Sequence, residues 1–179
     1  MSNCGKMENL KRLISEIVKK DESTSAYFAL QNNKKLHKSF SIITNLGSSV
    51  AIGIMMLCFL ITGFDQSVRL VLLILIFEVI GLPVIIALRY ATRRKRPVEL
   101  SRRIRLDVWN KYSFPSHHAY RCFMIASILG LSYITLMPIF YSLASIIGFS
   151  RIYLLKHYPS DVIIGAILGI FIGSMSIFL

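Results

Sequence analysis

Two polar clusters in the second half of the chain contain histidine, and their residue types suit attack on a phosphate ester. His157 and Asp161 are four residues apart, so one helical turn would place the imidazole beside the carboxylate. A neutral imidazole is a nucleophile, and a carboxylate that accepts its other ring N–H fixes the tautomer. A second histidine can protonate the leaving alkoxide. The pattern predicts hydrolysis through a covalent imidazole intermediate.

Three arginines accompany the two clusters: Arg89, Arg96 and Arg151. The planar guanidinium group donates paired hydrogen bonds to phosphate oxygens, so these residues predict a phosphate clamp. Ser116 precedes an apolar segment, where its hydroxyl and the backbone N–H groups of a helix entrance can donate further hydrogen bonds. The helix that starts near Pro159 also favours a bound anion at its N-terminus.

The sequence does not indicate a metal or a cofactor. The Asp, Glu and His residues do not form a cluster that resembles a two-metal phosphatase site, so a mechanism without Mg²⁺ or Zn²⁺ is expected. Cys4, Cys58 and Cys122 are scattered and fit neither a zinc site nor a disulfide framework.

The elements that position these residues are predicted to be membrane helices. The chain has 179 residues, a hydrophobic fraction of 54% and a mean hydropathy of +0.59, and its apolar residues fall in long continuous runs. Only helices and closed barrels satisfy their backbone in lipid, and continuous runs indicate helices. We expect an all-α, integral-membrane bundle of about five transmembrane helices. The candidate spans are 41–64, 68–88, 119–137, 139–152 and 160–179.

The first 39 residues have a different character. They carry eight Lys and Arg residues and an apolar set at helical spacing. This set is Met7, Leu10, Ile14, Ile17 and Val18. Such a helix suits the membrane interface, and the alternative is a helix packed on the protein itself. We therefore divide the chain into a basic amphipathic interfacial segment, 1–39, and a catalytic transmembrane domain, 40–179.

The net charge of +12 calls for an anionic partner. An anionic lipid bilayer and a lipid substrate suit an apolar chain. Nucleic acid is disfavoured because aromatic residues do not interleave with the basic ones, and no obligate protein partner is evident.

Small and acidic residues inside the spans have structural interpretations. Gly165, Gly169 and Gly173 recur every four residues, which allows a neighbouring helix to approach closely. Glu78 lies in the middle of the second span, where an acid usually faces the bundle interior. A structural hydrogen bond is the simpler role for Glu78, and a role near the substrate is the alternative.

Three segments resemble the signatures of the type 2 phosphatidic acid phosphatase (PAP2) superfamily. Residues 89–97, RYATRRKRP, are similar to the first signature, K-x6-R-P; residues 114–119, FPSHHA, are similar to the second, P-S-G-H. Residues 150–161, SRIYLLKHYPSD, match the third, S-R-x5-H-x3-D. The resemblance covers roughly residues 40–179. Arg89 replaces the usual lysine, and His117 replaces the usual glycine.

The resemblance implies specific roles. His157 would form the phosphoenzyme, His118 would protonate the leaving group, and Asp161 would orient His157. The phosphate-binding residues would be Arg89, Arg96, Ser116, Arg151 and the backbone at His117. Arg121 and Lys95 are further candidates for contact with a lipid head group.

Similar bacterial enzymes act on lipid A 1-phosphate, phosphatidylglycerol phosphate or undecaprenyl diphosphate, so the resemblance implies a membrane lipid phosphatase. Two alternatives stay open: a phosphotransferase that passes phosphate to a second lipid, and a non-catalytic membrane scaffold. The retained His118, His157 and Asp161 disfavour the scaffold.

Two arguments about the orientation in the cytoplasmic (inner) membrane disagree. Five spans would place 20 of the 21 Lys and Arg residues on the catalytic side, which the positive-inside rule assigns to the cytoplasm. Bacterial relatives in the family mostly work on the outer face. Because several of these arginines serve the chemistry, we expect an active site on the outer, periplasmic face.

Overall fold

In a computed structural model, residues 3–31, 33–63, 66–98 and 112–179 are described, with side chains from residue 7 onward. They form seven α-helices and no strand, so the predicted all-α class is confirmed. The helices are α1 (Asn3–Leu30), α2 (Lys34–Asn45), α3 (Ser49–Thr62), α4 (Ser67–Thr92), α5 (His117–Ser132), α6 (Met137–Tyr153) and α7 (Pro159–Ser174). Short 3₁₀ segments precede α6 and follow α7, at Ile134–Leu136 and Met175–Phe178. Residues 99–111, within the basic segment between the second and third predicted spans, lie outside the described part.

Among the described residues, three helical segments are long and apolar enough to cross a membrane: Ser67–Thr92, Ile134–Tyr153 and Pro159–Phe178. The bent pair of α2 and α3 would be a fourth. The remaining predicted span coincides with α5, which has 16 residues and lies at the centre of the bundle. A membrane-type helical bundle is therefore present, and the count of five spans stays a prediction.

The first predicted span, 41–64, is wrong as a continuous helix. It is broken between α2 and α3, whose axes are bent by 53°. The Ser48 side chain accepts the Ala51 N–H at 3.2 Å, which starts α3 as a new helix. At Gly47 a Cβ atom would lie 3.2 Å from the His118 ring and 3.0 Å from Ile147. The break therefore lies against His118, one of the predicted catalytic residues.

The glycine repeat of α7 faces α5, as predicted. A Cβ atom at Gly165 would lie 2.5 Å from the carbonyl oxygen of Ser116, the N-cap of α5. At Gly169 or Gly173 it would lie 2.2 or 2.5 Å from a backbone carbonyl oxygen within α5. These distances are too short for any side chain, so the two backbones are in direct contact. This contact fixes the start of α7, which carries Asp161, against the start of α5, which carries Ser116.

The first helix, α1, has two different halves. Its C-terminal half packs on α6 and α7: Asp21 and Ser25 are buried, and Phe28 contacts the rings of Phe149 and Tyr153. Its N-terminal half exposes apolar side chains. These are Met7, Leu10, Leu13, Ile14, Ile17 and Val18. The second half of α1 thus packs on the protein, and the interfacial role of the first half stays a prediction.

Candidate active site

The turn between α6 and α7 sets the spacing of the third signature. Arg151 lies in the last turn of α6, and its carbonyl oxygen accepts the Lys156 N–H at 3.0 Å. The Leu155 N–H bonds the Ile152 carbonyl at 2.9 Å, and Leu155 has a left-handed backbone with φ of 55°. These two bonds around a left-handed residue form a Schellman motif. The motif ends α6 within one turn and brings His157 back beside Arg151.

The His157 side chain is 1% exposed, and its Nδ1 atom lies 2.7 Å from the carbonyl oxygen of Ser113. Because a carbonyl oxygen only accepts, Nδ1 carries the proton and the lone pair is on Nε2. Asp161 Oδ2 is 3.7 Å from the same nitrogen, beyond hydrogen-bond distance. The expectation that Asp161 accepts this ring N–H is therefore corrected: Ser113 accepts it, and the Asp161 carboxylate lies beside the ring as a counter-charge.

Asp161 is fully buried and all of its oxygens have partners. Oδ2 accepts the Tyr158 N–H at 2.9 Å, Oδ1 accepts Arg94 Nη1 at 2.8 Å, and the backbone carbonyl accepts the Ser116 N–H at 2.9 Å. The spacing of four residues does place the carboxylate beside His157, as the sequence predicts. An anion held this firmly can stabilise positive charge on the neighbouring imidazole ring.

The three predicted clamp arginines come from different elements and converge. Arg89 Nε lies 3.4 Å from the Pro115 carbonyl oxygen, Arg96 Nη1 lies 3.3 Å from the Lys156 carbonyl oxygen, and Arg151 Nη1 donates to Thr44 Oγ1 at 2.9 Å. The charges of the three guanidinium groups act on one another. Guanidinium groups held close together make a strongly positive site that attracts anions. The cluster thus suits a multiply charged anion such as phosphate.

The entrance of α5 supplies hydroxyl and backbone donors. Ser116 is fully buried and is the N-cap, with its Oγ 3.5 Å from the Ala119 N–H. The N–H groups of the first helical residues, His117 and His118, have no partner within the helix, so they are suited to an anion. The charges of Arg151 and His157 act on the His118 ring, so the two histidines lie within electrostatic range of each other.

The side chain of His117 points to Glu78 instead of a phosphate. Its Nε2 lies 3.0 Å from Glu78 Oε1, and its ring stacks on Tyr120 at 6.0 Å between centroids. The imidazole that replaces the usual glycine thus lies against Glu78 and the Tyr120 ring. The backbone N–H at this position stays at the helix start, where the resemblance implies a phosphate contact.

The structure gives Arg121 a structural role in place of the predicted head-group contact. Its Nε donates to Glu78 Oε1 at 2.9 Å, Nη2 also contacts Glu78, and Nη1 donates to Ser49 Oγ at 2.8 Å. An arginine buried between α3, α4 and α5 is stable only beside an acid, which accounts for Glu78 in mid-helix. Lys95, the other candidate, has an exposed side chain and keeps the head-group role as a prediction.

Replacing Glu78 with glutamine is expected to lower the free energy of unfolding by roughly 2 kcal/mol, because Arg121 loses its counter-charge. The matched control is Glu8→Gln on the exposed face of α1, which should leave stability unchanged. Thermal unfolding of both variants in one detergent measures the difference. Equal midpoints for the two variants would contradict the structural role of Glu78.

The protonation of His157 has a measurable consequence. Burial lowers its pKa from 6.5 to about 4, and the charges of Arg96 and Arg151 act in the same direction, while Asp161 opposes them. His157 is therefore neutral at pH 7, as a nucleophile requires. The chain has four histidines, so NMR of ¹³C-labelled histidine in detergent can follow each one. We expect a resonance that titrates near pH 4 and is missing in His157→Gln; a His157 midpoint at 6 or above would contradict the buried, cationic surroundings.

The sequence missed three members of this site. Ser113 acts through its carbonyl oxygen, which every residue type has, so no sequence signal marks it. Arg94 lies inside the first signature but at a variable position, and Asp21 is 73 residues away from it. Both carboxylate contacts of Arg94 depend on tertiary packing that spacing alone does not reveal.

Comparison with known proteins identifies the family. The family model of the PAP2 superfamily matches residues 67–177. Decaprenylphosphoryl-5-phosphoribose phosphatase of Mycobacterium tuberculosis is 33% identical over 90 residues, which are 50% of this chain and 50% of that protein. Lipid A 1-phosphatase of Porphyromonas gingivalis is 36% identical over 77 residues, 41% of this chain and 17% of that protein. The matches thus span half or less of these curated relatives.

Solved structures show the same fold over most of the chain. The transmembrane PAP2 type phosphatidylglycerolphosphate phosphatase from Bacillus subtilis superposes with a TM-score of 0.70 at 22% identity, covering 91% of this chain and 85% of that one. LpxE of Aquifex aeolicus gives a TM-score of 0.68 at 26% identity, covering 87% and 93%. The family model covers more than half of the chain and includes α4 to α7, from which most of the site is built. The protein belongs to the PAP2 superfamily.

Proposed function

We propose that this protein is a membrane lipid phosphatase that works through a phosphohistidine on His157. The observation that carries the proposal is the state of the His157 ring. Its Nδ1–H is bound to the Ser113 carbonyl at 2.7 Å, so the unprotonated Nε2 is the nucleophilic atom. It lies in a site with three converging arginines, and family membership supports the same chemistry.

In the first step, Nε2 of His157 attacks phosphorus, and the bond from phosphorus to the lipid oxygen breaks. The bound phosphate dianion offsets the positive charges that act on His118, so His118 is protonated in the complex. It gives this proton to the departing lipid alkoxide, and the lipid leaves as an alcohol. Arg89, Arg96 and Arg151 hold the phosphoryl oxygens while the group becomes planar, which is the stage at which fixed cations stabilise it most. The buried Asp161 stabilises the positive charge on the phosphorylated ring.

In the second step, a water molecule attacks phosphorus and the N–P bond breaks. His118, now neutral, removes a proton from this water, and inorganic phosphate is released. His157 returns to the neutral form with its proton still on Nδ1. In this scheme the reaction needs no cofactor or metal ion, and activity should persist in EDTA.

The proposed substrate is a phosphorylated membrane lipid. The site lies at one end of the bundle, where α4 ends and α5 and α7 begin, which suits a head group at the membrane interface. Both curated relatives are named as phosphatases of a phosphorylated lipid. We propose a phosphomonoester or diphosphate of this kind: lipid A 1-phosphate, phosphatidylglycerol phosphate or undecaprenyl diphosphate.

We further propose a multi-pass location in the cytoplasmic membrane with the site on its outer face. Lys95 has an exposed side chain beside the site. In a cysteine-free background, Lys95→Cys should react with a membrane-impermeant maleimide in intact spheroplasts. Labelling only after lysis would place the site in the cytoplasm, as the positive-inside rule indicates.

The test of the proposed activity is phosphate release by the purified protein in detergent with EDTA. The panel contains lipid A, phosphatidylglycerol phosphate, phosphatidic acid and undecaprenyl diphosphate, and His157→Ala is the control. Release that persists in EDTA and is lost in the variant supports the proposal, and the preferred lipid identifies the substrate. A parallel assay with a second lipid detects transfer of phosphate to an acceptor. If the wild-type protein neither releases phosphate nor transfers it to an acceptor, the proposal is contradicted.

A further inference from the structure

Asp21 differs from the other acidic residues of α1. Its side chain is 4% exposed, whereas Glu8, Glu16 and Glu22 are on the exposed surface. A carboxylate is seldom buried without partners that compensate for the loss of water. The partners of Asp21 lie in the catalytic part of the chain, at a distance in sequence of 73 residues for Arg94 and 139 residues for Ser160.

Both oxygens of Asp21 are hydrogen-bonded to these partners. Oδ1 accepts the backbone N–H of Ser160 at 3.1 Å, in the first turn of α7. Oδ2 accepts Arg94 Nη2 at 2.6 Å and the Ser160 hydroxyl at 2.5 Å. The carboxylate therefore sits at the N-terminal end of α7, where the helix favours negative charge. This end of α7 also carries Asp161.

Arg94 connects the two carboxylates. One nitrogen, Nη2, donates to Asp21, and the other, Nη1, donates to Asp161 Oδ1 at 2.8 Å and to Ser160 Oγ at 2.6 Å. The guanidinium also lies over the Tyr158 ring at 4.1 Å. A planar group held on both edges and on one face has little freedom, so its position depends on all of these partners.

We propose that Asp21 is a positioning residue for the catalytic histidine, acting through Arg94 and Asp161. The inference rests on the proposed phosphohistidine chemistry. Asp21 balances the charge of Arg94, which leaves Asp161 able to stabilise a cationic His157. Without Asp21, Arg94 would turn its full charge toward Asp161 and weaken that stabilisation. The helix α1 then contributes a positioning residue to the active site, although the family model begins only at residue 67.

The primary test is the isosteric variant Asp21→Asn, with Glu22→Gln as the matched control on the adjacent, exposed position. Asp21 does not contact the arginine cluster, so substrate binding should be preserved. We expect kcat to fall about tenfold in Asp21→Asn, equivalent to about 1.4 kcal/mol of activation free energy, with KM within about twofold. Glu22→Gln should equal the wild type, and Asp21→Glu, which retains the charge, should recover part of the loss.

A double-mutant cycle separates positioning from simple loss of stability. Arg94→Gln and Asp21→Asn should each lower kcat, and the double variant should be little worse than the worse single variant, because both act through one chain of contacts. If Asp21→Asn does not fold, Arg94→Lys serves instead: it keeps the charge but cannot bridge both carboxylates, and the same loss of kcat at constant KM is expected.

The outcomes distinguish this inference from the proposed function. An active wild type with unchanged kcat in Asp21→Asn, or in Arg94→Lys where that variant is used, overturns the inference alone. Fully additive losses in the cycle also overturn it. A wild type that releases no phosphate and traps none on His157 contradicts the proposed function, and the inference falls with it.

Discussion

Replacing His157 with alanine is expected to lower kcat for phosphate release by about a thousandfold or more, because the variant has no atom that can form the covalent intermediate. The arginine cluster remains, so substrate should still bind and KM should change little. Steady-state release of inorganic phosphate from the preferred lipid measures both constants. The loss should be visible in kcat alone, since His157 contacts the phosphoryl group only as the reaction proceeds.

The matched control is His37→Ala, an exposed histidine of α2, which should retain wild-type activity. In size-exclusion chromatography both variants should elute at the same volume as the wild-type protein, and both should unfold at similar temperatures. A His157→Ala protein that keeps more than about a tenth of the wild-type kcat would show that another group attacks phosphorus.

The second large effect concerns the contact between α5 and α7. Gly169→Val would place Cβ at 2.2 Å from the Tyr120 carbonyl oxygen, so the helices must separate. We expect a loss of about 3 kcal/mol in the free energy of unfolding, the upper end for overpacking. Activity should fall as well, since the same contact aligns Ser116 with Asp161. Thermal unfolding and phosphate release from one preparation test both results.

Gly53→Val is the matched control for this substitution. Gly53 also lies within a helix, but a Cβ atom there has no neighbour within 4 Å. The control should therefore show only the small helix-propensity effect of the same change. If Gly169→Val and Gly53→Val have equal stability and activity, the close approach of α7 to α5 is wrong.

Features with local causes were predictable from the sequence. The four-residue spacing of His157 and Asp161 predicted that the two side chains are neighbours, and they lie 3.7 Å apart, although His157 precedes the N-cap of α7 and is not itself helical. The glycine repeat of α7 predicted the close helix contact, since no other residue permits it. The three signatures identified the family through residues that are close in sequence, and the family model confirms that identification.

The bend in the first span was less apparent, although signals for it were present. Asn45, Gly47 and Ser48 form the kind of polar and small cluster that interrupts helices. The apolar residues on both sides dominate the hydropathy pattern, so the sequence predicts a single continuous helix. The structure shows that the cap at Ser48 and the close approach of Gly47 to His118 decide the geometry there.

The remaining differences arise from long-range packing. The acceptor of the His157 ring N–H is the backbone carbonyl of Ser113. Every residue has such a carbonyl group, so the residue type does not reveal this contact. The pairing of Asp21 with Arg94 joins a helix that resembles an interfacial anchor to the catalytic centre. Arg121 resembled a head-group ligand because of its proximity to His118, but Glu78 binds it inside the bundle. Each of these contacts requires the tertiary fold.

The most direct test of the proposed mechanism is to trap the phosphoenzyme. The purified protein is mixed with a ³²P-labelled lipid phosphate in detergent, the reaction is stopped with alkali, and the labelled peptides are mapped. The mechanism predicts label that survives alkali, is lost in acid, lies on His157 and is absent from His157→Ala. Label on a different residue, or release of phosphate at the wild-type rate with no label on His157 at any time during turnover, would contradict the central claim.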